Sequence, residues 1–149
     1  MDNSDTAKLD KPIGALTLRT TAMPADTNYN GDIFGGWIMS QMDLAGAIAC
    51  LDVERSRFVT VAVKSMRFWN PVHTGDVVCV YCKLSSIGKS SVSFHINVWA
   101  KSRLSDEDHV LVTEAEYIYV KIEHSGKSAL LDPEKVKAAL NKNIKLFLV

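Results

Sequence analysis

The sequence lacks an excess of charge of either sign. Its 149 residues include 17 lysines and arginines and 17 aspartates and glutamates, which gives a formal net charge of +0. A balanced chain has no overall electrostatic field that would attract nucleic acid or an anionic membrane. Recognition of an anion must therefore depend on a few local residues, and we predict neither nucleic acid nor a membrane as a partner.

Long apolar runs are also absent. The longest nearly uncharged stretch begins at the pair Gly35-Gly36 and ends at Leu51, which is shorter than the ~20 residues that span a bilayer. The first residues, MDNSDTAKLD, do not have the basic and apolar regions of a secretory signal. The sequence therefore predicts a cytoplasmic protein in which residues 1–12 form a flexible leader.

Cysteine is scarce, and its three occurrences are Cys50, Cys79 and Cys82. An odd number argues against the disulfide framework of a secreted domain. Cys79 and Cys82 form a C-x-x-C, but they lie in an apparent strand, where residues three apart point to opposite faces. We therefore predict that Cys79 and Cys82 are small core or sheet residues rather than a redox or zinc site.

Histidine is equally scarce and shows no spacing typical of metal ligands. The chain has 4 histidines, and no pair of them forms an H-x-x-x-H. The sequence therefore predicts no metal site. Each histidine is expected on a surface or a sheet face: His73, His95, His109 and His124.

The most informative stretch runs from Asp26 to Leu51. Asparagine, aspartate and glycine crowd its first part, and the Gly35-Gly36 pair then opens an apolar run that predicts a helix ending near Asp52. Asp43 is the one charged residue inside that run. A carboxylate on an apolar helix is costly unless it is paired or used in chemistry, so Asp43 is either a satisfied structural acid or a functional one. Gly46, a poor helix former, indicates close approach of another backbone.

The rest of the chain reads as strands with short connections. Such connections favour antiparallel pairing, and one apolar helix with one antiparallel sheet is an α+β arrangement in which the sheet curls round the helix. A C-terminal helix is predicted at 132–143, begun by Asp132-Pro133, followed by an apolar tail at 144–149. The predicted strands cover 13–20, 58–69, 77–84, 90–101 and 110–122.

These elements and several short motifs together resemble the hotdog-fold acyl-CoA thioesterases, most closely the YciA-type acyl-CoA hydrolases of bacteria. The resemblance extends from residue 14 to about residue 126, and the joint order of the motifs is specific although each alone is weak. The matching motifs are Met23-Pro24, Asp26-Thr27-Asn28, Gly31 to Met39, Met42-Asp43, Val59 to Val63, Phe68, Pro71-Val72, Gly75 to Val78 and Gly88 to Ser91.

The resemblance implies a hotdog domain at 13–128, with a sheet of about five strands around one long buried helix, and a C-terminal helix and tail at 129–149. It implies a homodimer with a continuous sheet and active sites at the dimer interface, and further association into a trimer of dimers, a hexamer. The implied reaction is hydrolysis of acyl-CoA to a free acid and coenzyme A, with no separate cofactor because coenzyme A is part of the substrate.

The same resemblance assigns roles to particular residues. Asp43 becomes the general base or nucleophile, Asn28 its polar helper, and the Gly36 N–H a donor to the oxyanion. The resemblance places the coenzyme A contacts on a short loop and on one residue of the predicted strand 58–69. They are Gly88, Lys89, Ser90, Ser91 and Thr60.

Several of these residues also have a purely structural explanation, and the whole chain has two alternative functions. Asn28 suits a turn, the loop at 88–91 suits a plain hairpin, and strand propensity explains Thr60. A non-catalytic acyl-CoA sensor is the alternative from another class of protein. A hotdog hydratase or dehydratase is a weaker one, because such enzymes pair a histidine with an acid and no histidine lies between Asp26 and Cys50.

Overall fold

The computed structural model describes residues 8–106 and 108–147. Of the leader predicted at 1–12, residues 1–7 lie outside the described residues. Within the described residues, five strands and two α-helices follow one another in the order predicted from the sequence, together with one short 3-10 turn that was not predicted. They are β1 (Ala15–Thr21), the 3-10 turn (Pro24–Asp26), α1 (Gly35–Val53), β2 (Phe58–Phe68), β3 (Val77–Ile87), β4 (Ser91–Lys101), β5 (Val110–Lys121) and α2 (Pro133–Phe147).

The strands form one five-stranded antiparallel sheet in the order β1-β3-β4-β5-β2. The α+β architecture with a long helix against an antiparallel sheet is confirmed. β3 extends three residues beyond its predicted end and reaches Ile87, so the loop to β4 shrinks to residues 88–90. β2 lies at one edge of the sheet, and it contacts helix α1.

Helix α1 lies against the sheet through one face of small and medium apolar residues. Its buried members include Ile38, Met42 and Ala49, which join Val80 and Phe94 of the sheet in one hydrophobic core. Fully burying a side chain such as Met42 stabilises the fold by roughly 1.5–3 kcal/mol. The sheet curls round this helix, and all five strands contact it.

Gly46 allows α1 to approach strand β5 closely. A Cβ atom at this position would lie 2.0 Å from the Tyr119 hydroxyl and 2.5 Å from the ring carbon that carries it. The prediction that another backbone approaches Gly46 was therefore wrong, because the neighbour is the side chain of Tyr119. Glycine at 46 leaves the space that this ring occupies.

The three cysteines are buried free thiols. Cys82 belongs to the core between sheet and helix, whereas Cys79 lies outside that core and meets Arg19, so the two residues point to opposite faces as predicted. Burial raises the pKa of the Cys50 and Cys82 thiols to about 12 and also raises the pKa of Cys79. These thiols stay protonated near neutral pH and are poor nucleophiles.

Helix α2 begins as predicted and extends further than predicted. The Asp132 carboxylate accepts a hydrogen bond from the Glu134 N–H at 3.0 Å, which is an N-cap contact, and Pro133 occupies the first helical position. The helix continues to Phe147, beyond its predicted end at 143, and so includes part of the apolar tail. Residues 148–149 of that tail lie outside the described residues.

A search of the described chain for a membrane-crossing helix finds none that is long and apolar enough.

Candidate active site

Asp43 lies on α1 with one carboxylate oxygen held and the other open. Its Oδ1 accepts a hydrogen bond from the Thr60 hydroxyl at 2.5 Å and another from the Tyr119 hydroxyl at 3.1 Å. Within the described residues, no hydrogen bond reaches Oδ2. The side chain is half-buried, so the carboxylate is held in one orientation and part of it stays accessible to solvent.

Tyr119 is the residue at this site that the sequence did not reveal. It lies on β5 in the core, and its hydroxyl lies 3.1 Å from both the backbone carbonyl oxygen and Oδ1 of Asp43, so these two acceptors share its single proton. Burial, reinforced by the Asp43 charge, raises the pKa of Tyr119 far above its ordinary value. Tyr119 therefore remains a hydrogen-bond donor at any working pH. Gly46 was the one signal in the sequence that pointed to this contact.

Thr60 reaches Asp43 from β2. The strand begins at Phe58, and its third residue faces α1 at the level of the acid. The sequence placed Thr60 along bound coenzyme A, whereas the structure brings its hydroxyl into direct contact with the predicted catalytic carboxylate. The two donors to Asp43 thus come from distant parts of the sequence and from neighbouring strands, since β2 pairs with β5.

The amino-terminal end of α1 presents unoccupied backbone donors. The Phe34 carbonyl accepts from the Trp37 and Ile38 N–H groups, and among the described residues no hydrogen bond occupies the N–H of Gly35 or Gly36. A Cβ at Gly36 would meet only the Phe34 ring, at an ordinary 3.4 Å. Internal packing therefore does not require glycine at 36, and its effect is to leave the amide open to a ligand.

Gly36 and Asp43 lie on the same side of α1. They are seven residues apart, which is close to two helical turns and about 10.5 Å along the axis. A helical side chain leans toward the amino-terminal end of its helix, so the Asp43 carboxylate points from its own turn toward the Gly36 end.

Asn28 forms a turn in this structure. Its Oδ1 accepts hydrogen bonds from the N–H groups of Asn30 at 2.9 Å and Asp32 at 3.2 Å, as in an Asx turn. Among the described residues it makes no hydrogen bond to Asp43. The turn orders the loop that leads into α1, where the Phe34 N–H donates to the Asp26 carbonyl.

The loop at 88–91 is a tight hairpin connection at the same end of β5 as Tyr119. The Gly88 N–H donates to the Ser91 carbonyl at 2.8 Å, and a Cβ on Gly88 would lie 2.5 Å from the Ser91 hydroxyl. The Lys89 side chain is exposed and makes no ion pair with any described residue. The structure thus supplies a cation on an ordered loop, but it does not bring that loop into contact with Asp43.

The two elements that carry Asp43 and Thr60 also present exposed apolar side chains. On α1 these are side chains that would normally be buried, with Leu44 54% and Ile48 45% exposed. On β2, the edge strand, Val61 is 55% exposed. A cavity of about 400 Å³ lies between α1 and the start of β2, and its lining includes Leu44, Ile48 and Val59 but neither Asp43 nor Thr60. The exposed large apolar side chains of α1 and β2 are Met39, Leu44, Ile48, Leu51, Val59, Val61, Val63 and Phe68.

The described residues contain no group of three or more histidine, cysteine, aspartate or glutamate side chains placed to hold a metal ion. Three of the four histidines each contact one polar side chain: His73 lies 3.2 Å from Asp32, His95 lies 3.6 Å from Glu114, and His124 contacts Arg57. The candidate site consists of a carboxylate, two hydroxyl donors and open backbone amides, on a helix that also carries exposed apolar side chains.

A long helix with one oriented acid, wrapped by a five-stranded antiparallel sheet, defines a hotdog-fold protein. Comparison with known proteins agrees with this class. Residues 30–106 match the thioesterase superfamily. The acyl-CoA thioester hydrolase YciA of Escherichia coli is 50% identical over 125 residues, which are 83% of this chain and 95% of that protein.

Solved structures give the same result. A hexameric broad specificity acyl-coenzyme A thioesterase is 43% identical with a TM-score of 0.83, covering 93% of this chain and 95% of its own, and a variant of it with an aspartate replaced by alanine has also been solved. The hexameric thioesterase of Yersinia pestis is 49% identical with a TM-score of 0.77, covering 82% of this chain and 98% of its own. The chain belongs to the thioesterase superfamily.

Proposed function

We propose that this protein hydrolyses acyl-CoA thioesters to a free carboxylic acid and coenzyme A, with Asp43 as the catalytic residue. One observation carries the proposal: two donors hold Oδ1 of Asp43, no described residue hydrogen-bonds to Oδ2, and apolar side chains on the same helix are exposed. That geometry suits a carboxylate that must act on a polar group at the end of an apolar chain. The high identity to acyl-CoA thioester hydrolases supports the same reaction class.

Oδ2 of Asp43 accepts a proton from a water molecule, and the oxygen of that water bonds to the thioester carbonyl carbon. The carbon–sulfur bond then breaks, coenzyme A leaves as a thiolate that takes up a proton, and the acid is released. Direct attack by the carboxylate gives an anhydride that water opens, with the same products. Neither route requires a cofactor. Thr60 and Tyr119 keep the carboxylate oriented in both.

The N–H of Gly36 is our candidate donor to the oxyanion. It lies at the positive end of the helix dipole, it is unoccupied among the described residues, and no side chain at 36 shields it. Asn28 is assigned a supporting role. Its Oδ1 is committed to the turn, so its contribution to catalysis depends on the amide nitrogen, which donates a hydrogen bond toward the water or the carbonyl.

Coenzyme A is assigned to the loop that carries Lys89. The ammonium group meets the phosphates, and the amides and hydroxyls of Gly88, Ser90 and Ser91 meet the pantetheine or phosphate oxygens. We also place Thr60 next to the bound thioester, because its hydroxyl donates a hydrogen bond to the Asp43 carboxylate. Lys89 is supported by its exposure and by the absence of a competing ion pair within the described part of the chain.

A homodimer, further assembled as a trimer of dimers, is the proposed form. β2 is an edge strand whose apolar residues are exposed, and a second copy adding its own β2 would extend the sheet and cover them. Two of the solved relatives are hexameric. The three free thiols are those expected of a reducing compartment, which supports a cytoplasmic location.

The test is release of free thiol from a panel of acyl-CoAs of increasing chain length, combined with calorimetric titration of coenzyme A. Turnover of at least one acyl-CoA without any added protein supports the hydrolase. Tight binding of acyl-CoA without turnover would instead support the sensor. Gel filtration of the same sample tests the assembly, for which we expect six copies.

A further inference from the structure

A buried ion pair joins the carboxyl end of α1 to the end of β5. Glu54 is 4% exposed, and its Oε1 lies 2.5 Å from the Lys121 ammonium group. Its other oxygen, Oε2, accepts the Asp132 N–H at 3.0 Å, while the ammonium group also donates to the Leu130 carbonyl at 3.1 Å. The pair therefore holds both ends of a short segment, residues 130–132, that leads into α2.

That segment in turn holds the loop at 88–91. Between its two anchored ends, the Leu131 N–H donates to the Lys89 carbonyl at 2.8 Å. The backbone of Lys121 supplies a second contact, because its N–H donates to the Ser90 carbonyl at 2.8 Å. Hydrogen bonds to the backbone of residues 130–132 thus connect Glu54 and Lys121 to the loop to which we assign coenzyme A.

The same segment forms one wall of a groove beside Lys89. The groove has a volume of about 730 Å³ and separates the loop from α2. Leu131 is buried, and the Lys89 and Lys137 side chains lie in the groove wall. The position of Lys89 relative to this groove is therefore set by how firmly residues 130–132 are held.

We infer that Glu54 and Lys121 are positioning residues for coenzyme A: through residues 130–132 they fix the backbone of the loop that carries Lys89. Neither side chain touches the reacting atoms. The inference rests on the proposed function, because it assigns the phosphate-bearing end of the substrate to that loop. A firmly held loop binds the nucleotide without first losing conformational freedom, so the contribution lies in substrate affinity rather than in the chemical step.

Kinetics on two substrates test this inference. One is an acyl-CoA, and the other is the same acyl group on N-acetylcysteamine, which has the thioester but no phosphates. The test variants are Glu54→Leu and the double variant Glu54→Leu with Lys121→Met. The double variant removes the hydrogen bonds without leaving a buried unpaired charge, so it keeps its stability. Asp52→Asn, an exposed acid on the same helix, is the matched control.

We expect both test variants to raise KM for the acyl-CoA at least fivefold, with kcat within twofold of wild type and KM for the truncated thioester unchanged. Amides at 88–91 should also exchange hydrogen faster in the double variant without any substrate. A wild-type KM in the folded double variant, or an equal rise for both substrates, would overturn the inference while leaving the hydrolase intact. Absence of turnover by wild type would instead overturn the proposed function.

Discussion

The hydroxyl of Tyr119 donates a hydrogen bond to the carboxylate of Asp43 across the contact between β5 and α1. The contact is possible because Gly46, one turn further along the helix, has no Cβ to meet the ring. A core tyrosine thereby orients the acid without exposing itself to solvent. Together with Thr60 it leaves one carboxylate oxygen free for chemistry.

Removing this hydroxyl should lower catalysis more than it lowers stability. In Tyr119→Phe, Oδ1 of Asp43 keeps only the Thr60 donor, and we expect kcat to fall by about tenfold, or ~1.4 kcal/mol of transition-state stabilisation. Tyr117→Phe is the matched control. It removes a hydroxyl from the same strand and face, but one that donates to the Met39 carbonyl rather than to the Asp43 carboxylate. Steady-state kinetics with equal losses in both variants would count against an orienting role for Tyr119.

The Thr60 hydroxyl has two candidate roles, orienting the Asp43 carboxylate and binding coenzyme A, and kinetics distinguish them. If its hydroxyl orients Asp43, Thr60→Val should lower kcat by about tenfold, since a hydrogen bond to a charged group contributes ~1.5–3 kcal/mol. Thr60→Ser should retain most of the rate because it keeps the hydroxyl. A rise in KM with kcat unchanged in Thr60→Val would instead assign Thr60 to coenzyme A alone.

The cysteines should not react in the folded protein. Burial raises the pKa of Cys50 and Cys82 to about 12, so the thiolate is scarce near neutral pH. Titration with a thiol-specific chromogenic reagent should detect almost no thiol in the native protein and all three after denaturation. Fast reaction of one native thiol would contradict the assignment of these residues to buried positions.

Acid should weaken the attachment of the C-terminal segment through Glu54. Burial alone would raise the pKa of this carboxyl, but the hydrogen bonds from Lys121 and the Asp132 amide, with the Lys121 charge, outweigh it and hold the pKa below its ordinary value of 4.5. A carboxyl with a lowered pKa stabilises the fold fully above its unfolded-state pKa and loses that contribution as pH falls through the folded-state pKa.

The expected signature is a difference in unfolding free energy between wild type and Glu54→Gln that is constant from pH 7 to about pH 5 and shrinks below the ordinary carboxyl pKa of 4.5. Denaturant unfolding at a series of pH values measures it, with Asp52→Asn as a control that should follow wild type throughout. A difference that grows toward low pH would mean that folding raises the pKa of Glu54 instead of lowering it.

The sequence alone predicted the order of the helices and strands, and it singled out Asp43 as the candidate functional acid. The glycine pair before an apolar run predicted where α1 begins, and the Asp132-Pro133 pair predicted where α2 begins. Both signals are local. Tyr119 and Thr60 escaped prediction as partners of Asp43 because an inward tyrosine and a strand threonine look like ordinary sheet residues until the pairing of β2 with β5 brings them to the helix.

The same limit explains the ion pair of Glu54 with Lys121. The two residues are 67 positions apart, and nothing near either one in the sequence indicates a partner. For Asn28 the local sequence was compatible with two roles, a turn and a polar helper of Asp43. The structure displays its turn, while its role at the carbonyl stays a prediction.

The central claim is that the Asp43 carboxylate performs the hydrolysis. The most direct measurement is the rate of thiol release from an acyl-CoA by wild type and by Asp43→Asn, which keeps the size and hydrogen-bonding shape of the side chain, each first checked for the same assembly size by gel filtration. We predict a loss of at least about a hundredfold in kcat, as expected when a general base or nucleophile is removed. A correctly assembled Asp43→Asn protein that retains the wild-type rate would contradict this claim.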